Sequence, residues 1–137
     1  MRRFFGGEAS EDEGRESDYS QLLFFDFECT QEGGEHIPNL CVVHNESGDE
    51  KVFSGPNTRD DFCEWLFQEQ NSHSIVMAHN FQGYDGYFIL QYLHKNGLVP
   101  EVIMRGAKIL TLNVPVLNIK FVDSLCFIPM RVEYLQL

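Results

Sequence analysis

The sequence has no apolar run approaching the roughly 18–20 residues that span a bilayer, which excludes a helical integral membrane protein. Its four cysteines, Cys29, Cys41, Cys63 and Cys126, include no close pair and no C-x-x-C, so the tight ligand pairs of a structural zinc site are missing. A secretory signal is also lacking. Arg2, Arg3, Phe4 and Phe5 are followed at once by Gly6, Gly7 and Glu8, and no apolar central region comes after them. The acids that follow exclude a transit peptide on composition. The chain is therefore expected to be intracellular, in no stated compartment, with reduced thiols packed as small buried hydrophobes. No internal repeat is visible. Bases are scarce: 10 Lys and Arg against 21 Asp and Glu give a net charge of −11, which argues against gripping nucleic acid by a bulk positive field.

That acidity is uneven. Residues 1–70 hold 17 acids and 5 bases, whereas residues 71–137 hold 4 acids and 5 bases. Residues 1–20 read as an acidic, solvated tail without fixed structure, and 21–137 as one domain. With 137 residues, 43% of them hydrophobic and 12 of them Phe, the chain has enough apolar side chain for a core.

Residues 22–29 are short and nearly continuously apolar, which predicts a strand buried on both faces. Residues 39–44 and 50–54 predict two more strands, with hairpin chemistry around Ser47-Gly48. A helix is expected over 58–70, capped by Asn57 or Thr58, and a second over about 85–96 with Gly97 as its stop. Residues 74–78, 101–104, 108–113 and 117–123 read as strands, and an amphipathic helix begins near Arg131 and stops without a cap. The order predicts an α/β domain, a mixed sheet with helices packed on it.

Three places carry candidate chemistry. Asp26 and Glu28, two apart on a strand, project from one face at its C-terminal end. Two anions held close need a cation, and oxygen ligands suit Mg²⁺ or Mn²⁺. The same spacing fits a strand that frays at Asp26 and leaves both acids wet; D-x-E alone does not choose. The second place is Ala78-His79-Asn80-Phe81-Gln82-Gly83-Tyr84-Asp85, joining a strand to a helix. If that strand lies beside the first, Asp85 reaches the same crevice as a third carboxylate; taken alone, it is an ordinary N-cap. The third is Phe121-Val122-Asp123-Ser124-Leu125-Cys126-Phe127-Ile128. There Ser124 can donate to a phosphate and Phe127 offers a face to a base, or Asp123 and Ser124 simply form a turn.

Together, Phe24-Phe25-Asp26-Phe27-Glu28, the stretch from Ala78 to Leu90 and Phe121-Val122-Asp123-Ser124-Leu125 resemble the 3′–5′ exonuclease domain of protein-primed family B DNA polymerases. The likeness is to the organellar, viral and self-synthesising-transposon branch, and covers about residues 22–130. It implies a ribonuclease H-like fold and two-metal hydrolysis of a terminal phosphodiester, with ions about 3.5–4 Å apart. Under it, Asp26, Glu28 and Asp85 match the metal-holding catalytic acids. Asn80 and Tyr84 match residues that steady a single-stranded DNA 3′ end. Ser124 and Leu125 open a Ser/Thr-Leu-x-x-hydrophobic pattern, closed by Ile128, that contacts the displaced primer. In the full-length enzyme the partners would include deoxynucleotides and a terminal protein primer.

The sequence also departs from this family. Its third motif, a Tyr followed four residues later by an Asp, has no counterpart between Asp123 and Leu137; Tyr134 would need an Asp one position past the end. Asp123 is not a natural substitute, since the resemblance places it on the strand before the Ser-Leu pattern. Cys29 stands where a hydroxyl residue often sits beside the metals. The polymerase domain is absent, so an N-terminal, C-terminally truncated fragment of a DNA-directed DNA polymerase is expected. The alternatives are a catalytically inactive nucleic-acid-binding remnant and a stand-alone RNA or DNA exonuclease of the same superfamily.

Overall fold

Leu23, Phe25 and Phe27 point into the core while Asp26 and Glu28 point to solvent, a strict two-residue alternation that makes Gln21–Glu32 the organising strand, β1. The computed structural model describes residues 19–78 and 84–124. The tail residues 1–18, Asn80, Leu125, Phe127 and the segment 131–137 lie outside them. β1 is followed by β2 (Glu35–Asn45), β3 (Glu50–Ser54), α1 (Thr58–Leu66), β4 (Ser74–Ala78), α2 (Tyr84–Lys95), β5 (Glu101–Arg105), β6 (Lys108–Val114) and β7 (Ile119–Asp123). The strands form one seven-stranded mixed sheet in the order β3-β2-β1-β4-β7-β6-β5. β4 pairs in parallel with β1 on one side and β7 on the other, while the remaining pairs are antiparallel. The expected α/β mixed sheet is what the chain forms.

Both helices pack on the face that carries Phe25 and Phe27, and they touch one another. Phe62 of α1 has no exposed surface and stacks on Phe25 at 5.2 Å between ring centroids. Phe27 meets Phe62 edge-on at 5.6 Å and Phe88 of α2 edge-on at 5.5 Å. Such offset and edge-to-face contacts each add about 0.5–1.5 kcal/mol beyond the area they bury. The opposite side of β1, with Leu22 and Phe24 half-buried, is the more open one, contrary to the expectation of burial on both faces.

Local details differ from expectation for identifiable reasons. The helix predicted to reach residue 70 ends at Leu66, because Phe67 leaves helical geometry and stacks on Tyr92 at 5.9 Å; a single 3-10 turn, Glu69–Asn71, follows. Asn57 occupies the N-cap position of α1 without a side-chain hydrogen bond, while the Thr58 hydroxyl donates to the Gly55 carbonyl at 2.7 Å. Strand β1 continues past residue 29 into a hairpin whose two-residue loop is Gly33-Gly34, with φ of 59° and 85°. Two successive positive φ values are what such a tight turn requires, and glycine supplies them without steric cost. The β5–β6 pair is irregular between Ile103 and Met104, both exposed on the edge strand β5.

Phe62→Ala is expected to cost about 3–5 kcal/mol of stability, read as a lowered urea midpoint. Val52→Thr, at a side chain 54% exposed, should change stability by less than about 0.5 kcal/mol in the same measurement.

Candidate functional site at the carboxyl ends of the parallel strands

The β1–β4 ladder ends at the pair Phe24 and Met77, yet β1 runs on to Glu32. β4 itself ends at Ala78, so among the described residues a stretch of β1 has no parallel neighbour. That gap is the crevice outside the carboxyl ends of parallel strands, where ligands bind in open α/β sheets. Asp26 and Glu28 flank it from the open face of β1, both exposed. Asp85, second residue of α2, is half-buried and reaches the uncovered edge, where its carboxyl accepts the backbone N–H of Phe27. The expected adjacency of the two strands is therefore present, and it brings Asp85 to Asp26.

The electrostatics follow from that convergence. Burial, then the negative charge of Asp26 and more weakly that of Asp123, push the Asp85 carboxyl up to about 7 against the Phe27 hydrogen bond. Burial and the charges of Asp85, Glu28 and Asp26 hold the Cys29 thiol above its ordinary value. A single sulfur thus senses all three acids. Cys41 and Cys63 are buried as expected, but Cys29 is exposed; it lies beyond the end of the β1–β4 pairing and directly after an irregularity of the β1–β2 pair between Glu28 and Cys29. The extra residue in β2 is Asn39, whose carbonyl accepts the Gly55 N–H at 3.0 Å. Bulges of this kind re-aim side chains beside functional sites.

The donor set, three carboxylates on one crevice with no lysine or arginine paired to them among the described residues, fits a hard divalent cation. Among the described residues, however, no three His, Cys, Asp or Glu side chains stand close enough to hold one ion as they are placed. Uncompensated like charges favour such a separation.

Tyr84 stands one residue before Asp85, 53% exposed, with its ring stacked on His36 at 4.0 Å. Ser124 follows the end of β7 and is half-buried. Asn80, Leu125 and Phe127 lie outside the described residues. Sequence reasoning set Asp123 aside, yet its side chain has no exposed surface and it faces Ala78 across the β4–β7 ladder, near enough to act on Asp85. It also missed His36, for which only the Gly33-Gly34 turn signal, which folds β2 back along β1, pointed the way.

No helix among the described residues is long and apolar enough to cross a membrane. The fold is an α/β sheet with acids gathered at the carboxyl ends of its parallel strands. Solved structures of DNA polymerases share that fold. Phi29 DNA polymerase complexed with single-stranded DNA superposes with a TM-score of 0.64 and 17% identity, over 77% of this chain and 21% of that one. The same polymerase complexed with primer-template DNA and incoming nucleotide substrates gives 0.63 and 18%, over 77% and 20%. The family B DNA polymerase from the hyperthermophilic archaeon Pyrobaculum calidifontis gives 0.52 and 16%, over 76% and 15%. The chain thus spans about a fifth of the length of the phi29 enzyme. No family model and no curated protein matches the sequence.

Asp85 titrates near 7 when folded against 3.8 as a free side chain, so its contribution to stability is full below about pH 4 and is lost as pH rises through 7. In chelator, Asp85→Asn is expected to stabilise the chain at pH 8 relative to pH 5, each tenfold difference in proton affinity between folded and unfolded chain being worth about 1.4 kcal/mol. Parallel urea titrations of the two chains at both pH values check this.

Proposed function

We propose that residues 21–137 belong to the 3′–5′ exonuclease domain of a family B-type DNA polymerase, preceded by an acidic tail at 1–20, with a ribonuclease H-like fold that takes single-stranded DNA 3′ ends. The observation that carries this reading is the convergence of Asp26, Glu28 and Asp85 where β1 outruns β4, in a fold shared with DNA polymerases. In this reading those three acids hold two Mg²⁺ or Mn²⁺ ions. Bound there, such ions supply an activated water and stabilise the departing 3′ oxygen. Asp85, raised toward neutrality by burial and Asp26, is the ligand whose ionisation gains most from a nearby cation. Tyr84 offers an exposed ring to the strand end, Ser124 a hydroxyl, and Asn80, Leu125 and Phe127 complete the strand contacts. Deoxynucleotides and a terminal protein primer belong to the larger enzyme of which this would be one domain.

A second reading is a nucleic-acid-binding remnant without catalysis. It is favoured by the placing of the acids, since among the described residues no three His, Cys, Asp or Glu side chains stand close enough to hold one ion. On either reading the isolated chain is expected to trim single-stranded DNA little or not at all, and substantial Mn²⁺-dependent trimming would overturn that expectation.

Calorimetric titration with Mn²⁺ separates the two. The exonuclease reading predicts binding by the 137-residue chain at millimolar metal, lost when Asp26 and Glu28 are replaced by Ala, and a Mn²⁺-induced rise in thermal midpoint at pH 8. Absence of binding at millimolar metal would leave only the remnant.

A further inference from the structure

Past Lys95 the chain reverses at Gly97, whose φ of 74° suits glycine, and the Leu98 N–H closes the end of α2 on the Leu93 carbonyl at 2.9 Å. That turn lays Leu98, Val99 and Pro100 alongside Tyr87, Leu90 and His94, which share one face of α2 at helical spacing. Between the two rows lies a largely apolar groove of about 510 Å³. Val99 stands at its lip, 83% exposed. Contiguous exposed apolar surface of this kind is where another chain segment docks.

The two ends of the groove differ in charge. Glu101, exposed, follows Pro100 at one end. At the other, the Tyr87 hydroxyl donates to the Ala107 carbonyl and so brings the β5–β6 turn against the groove. Arg105 and Lys108 pair across that turn, both exposed, and neither is ion-paired among the described residues. Like charges directly opposite one another repel, so an anion laid across them relieves the strain. Lys95, by contrast, already reaches Asp60 at 3.4 Å. The segment this surface fits is basic, then apolar, then acidic.

The chain's own N-terminus has that order: Arg2-Arg3, Phe4-Phe5, then Glu8, Glu11, Asp12 and Glu13. It is also long enough. Fourteen residue steps separate Phe5 from Tyr19, a span of roughly 46–50 Å when extended. A body of about 100 residues has a radius of gyration of only about 13 Å. We propose that the groove seats this N-terminal tail, with Phe4 and Phe5 between α2 and Leu98–Pro100, Arg2 and Arg3 toward Glu101, and Glu11, Asp12 and Glu13 across Arg105 and Lys108. Seated there, the tail competes with any other anion for that cation pair.

The test uses the full 137-residue chain with the photoreactive p-benzoylphenylalanine in place of Phe4, irradiated and mapped by peptide mass spectrometry. The cross-links should fall within residues 87–100 and run as a monomer at every protein concentration. Val99→Asp should lower their yield about fivefold, as loss of an apolar anchor does. Replacing Arg105 and Lys108 together by Glu should lower it about threefold, and about 1 M NaCl should do the same to the parent by screening those charges. Cross-links scattered over the surface, or centred elsewhere, overturn the proposal. So does an unchanged yield in Val99→Asp. Cross-links confined to a dimer band overturn it too, by assigning the groove to the tail of a second copy. The map on the parent decides the matter even where a variant fails to fold.

Discussion

The parallel pairing of β1 with β4 stops short, and Asp26, Glu28 and Asp85 gather around the space it leaves. Because β4 ends at Ala78 and pairs with β1 only as far as Phe24, the N–H of Phe27 has no partner strand on that side among the described residues and donates to the Asp85 carboxyl instead. That hydrogen bond opposes the burial and the Asp26 charge that raise the same carboxyl. The crevice is thus held together by a bond between strand edge and helix start, and strained by like charges across it. Removing either side of that balance changes both the shape and the charge of the site.

The core enforces the geometry from below. Along β1 the side chains that stack on Phe62 and Phe88 alternate one for one with the acids. A slip of one residue against β2 would drive Asp26 and Glu28 into the aromatic cluster and expel Phe25 and Phe27. Burying unpaired carboxylates there would cost several kcal/mol each. The phenylalanines therefore set the register of the acids, so a core substitution and a site substitution on this strand are not independent perturbations.

Most of the fold was legible in the sequence because its strands and helices carry local signals. The apolar runs at 74–78 and 108–113, the acids at Asp60 and Asp61 and the glycine at 97 mark elements whose ends fall within a few residues of expectation. What was not legible depends on tertiary partners. Phe67 ends α1 early because Tyr92 offers it a ring. Cys29 is exposed because the strand beside it stops. The open face of β1 follows from both helices choosing the other side. At the site, the placing of Asp85 beside Asp26 was readable from the strand–turn–helix order around it. The approach of Asp123 and the stacking of His36 on Tyr84 were not, since nothing local ties residues 36 and 84 or 85 and 123 together. Gly33-Gly34 is the exception, a hairpin signal present in the sequence and left unused.

The edge strand β5 puts apolar side chains on a border of the sheet. β3 and β5 are the two borders of the sheet, and an exposed border with apolar side chains invites a second molecule to add its own strand. The residue left unpaired by the slipped register, Leu110, lies on β6, while on β5 the exposed Ile103 and Met104 are bracketed by the charges of Glu101 and Arg105. A foreign strand adding to this border would have to face both charges, which is one way natural edge strands are kept from pairing.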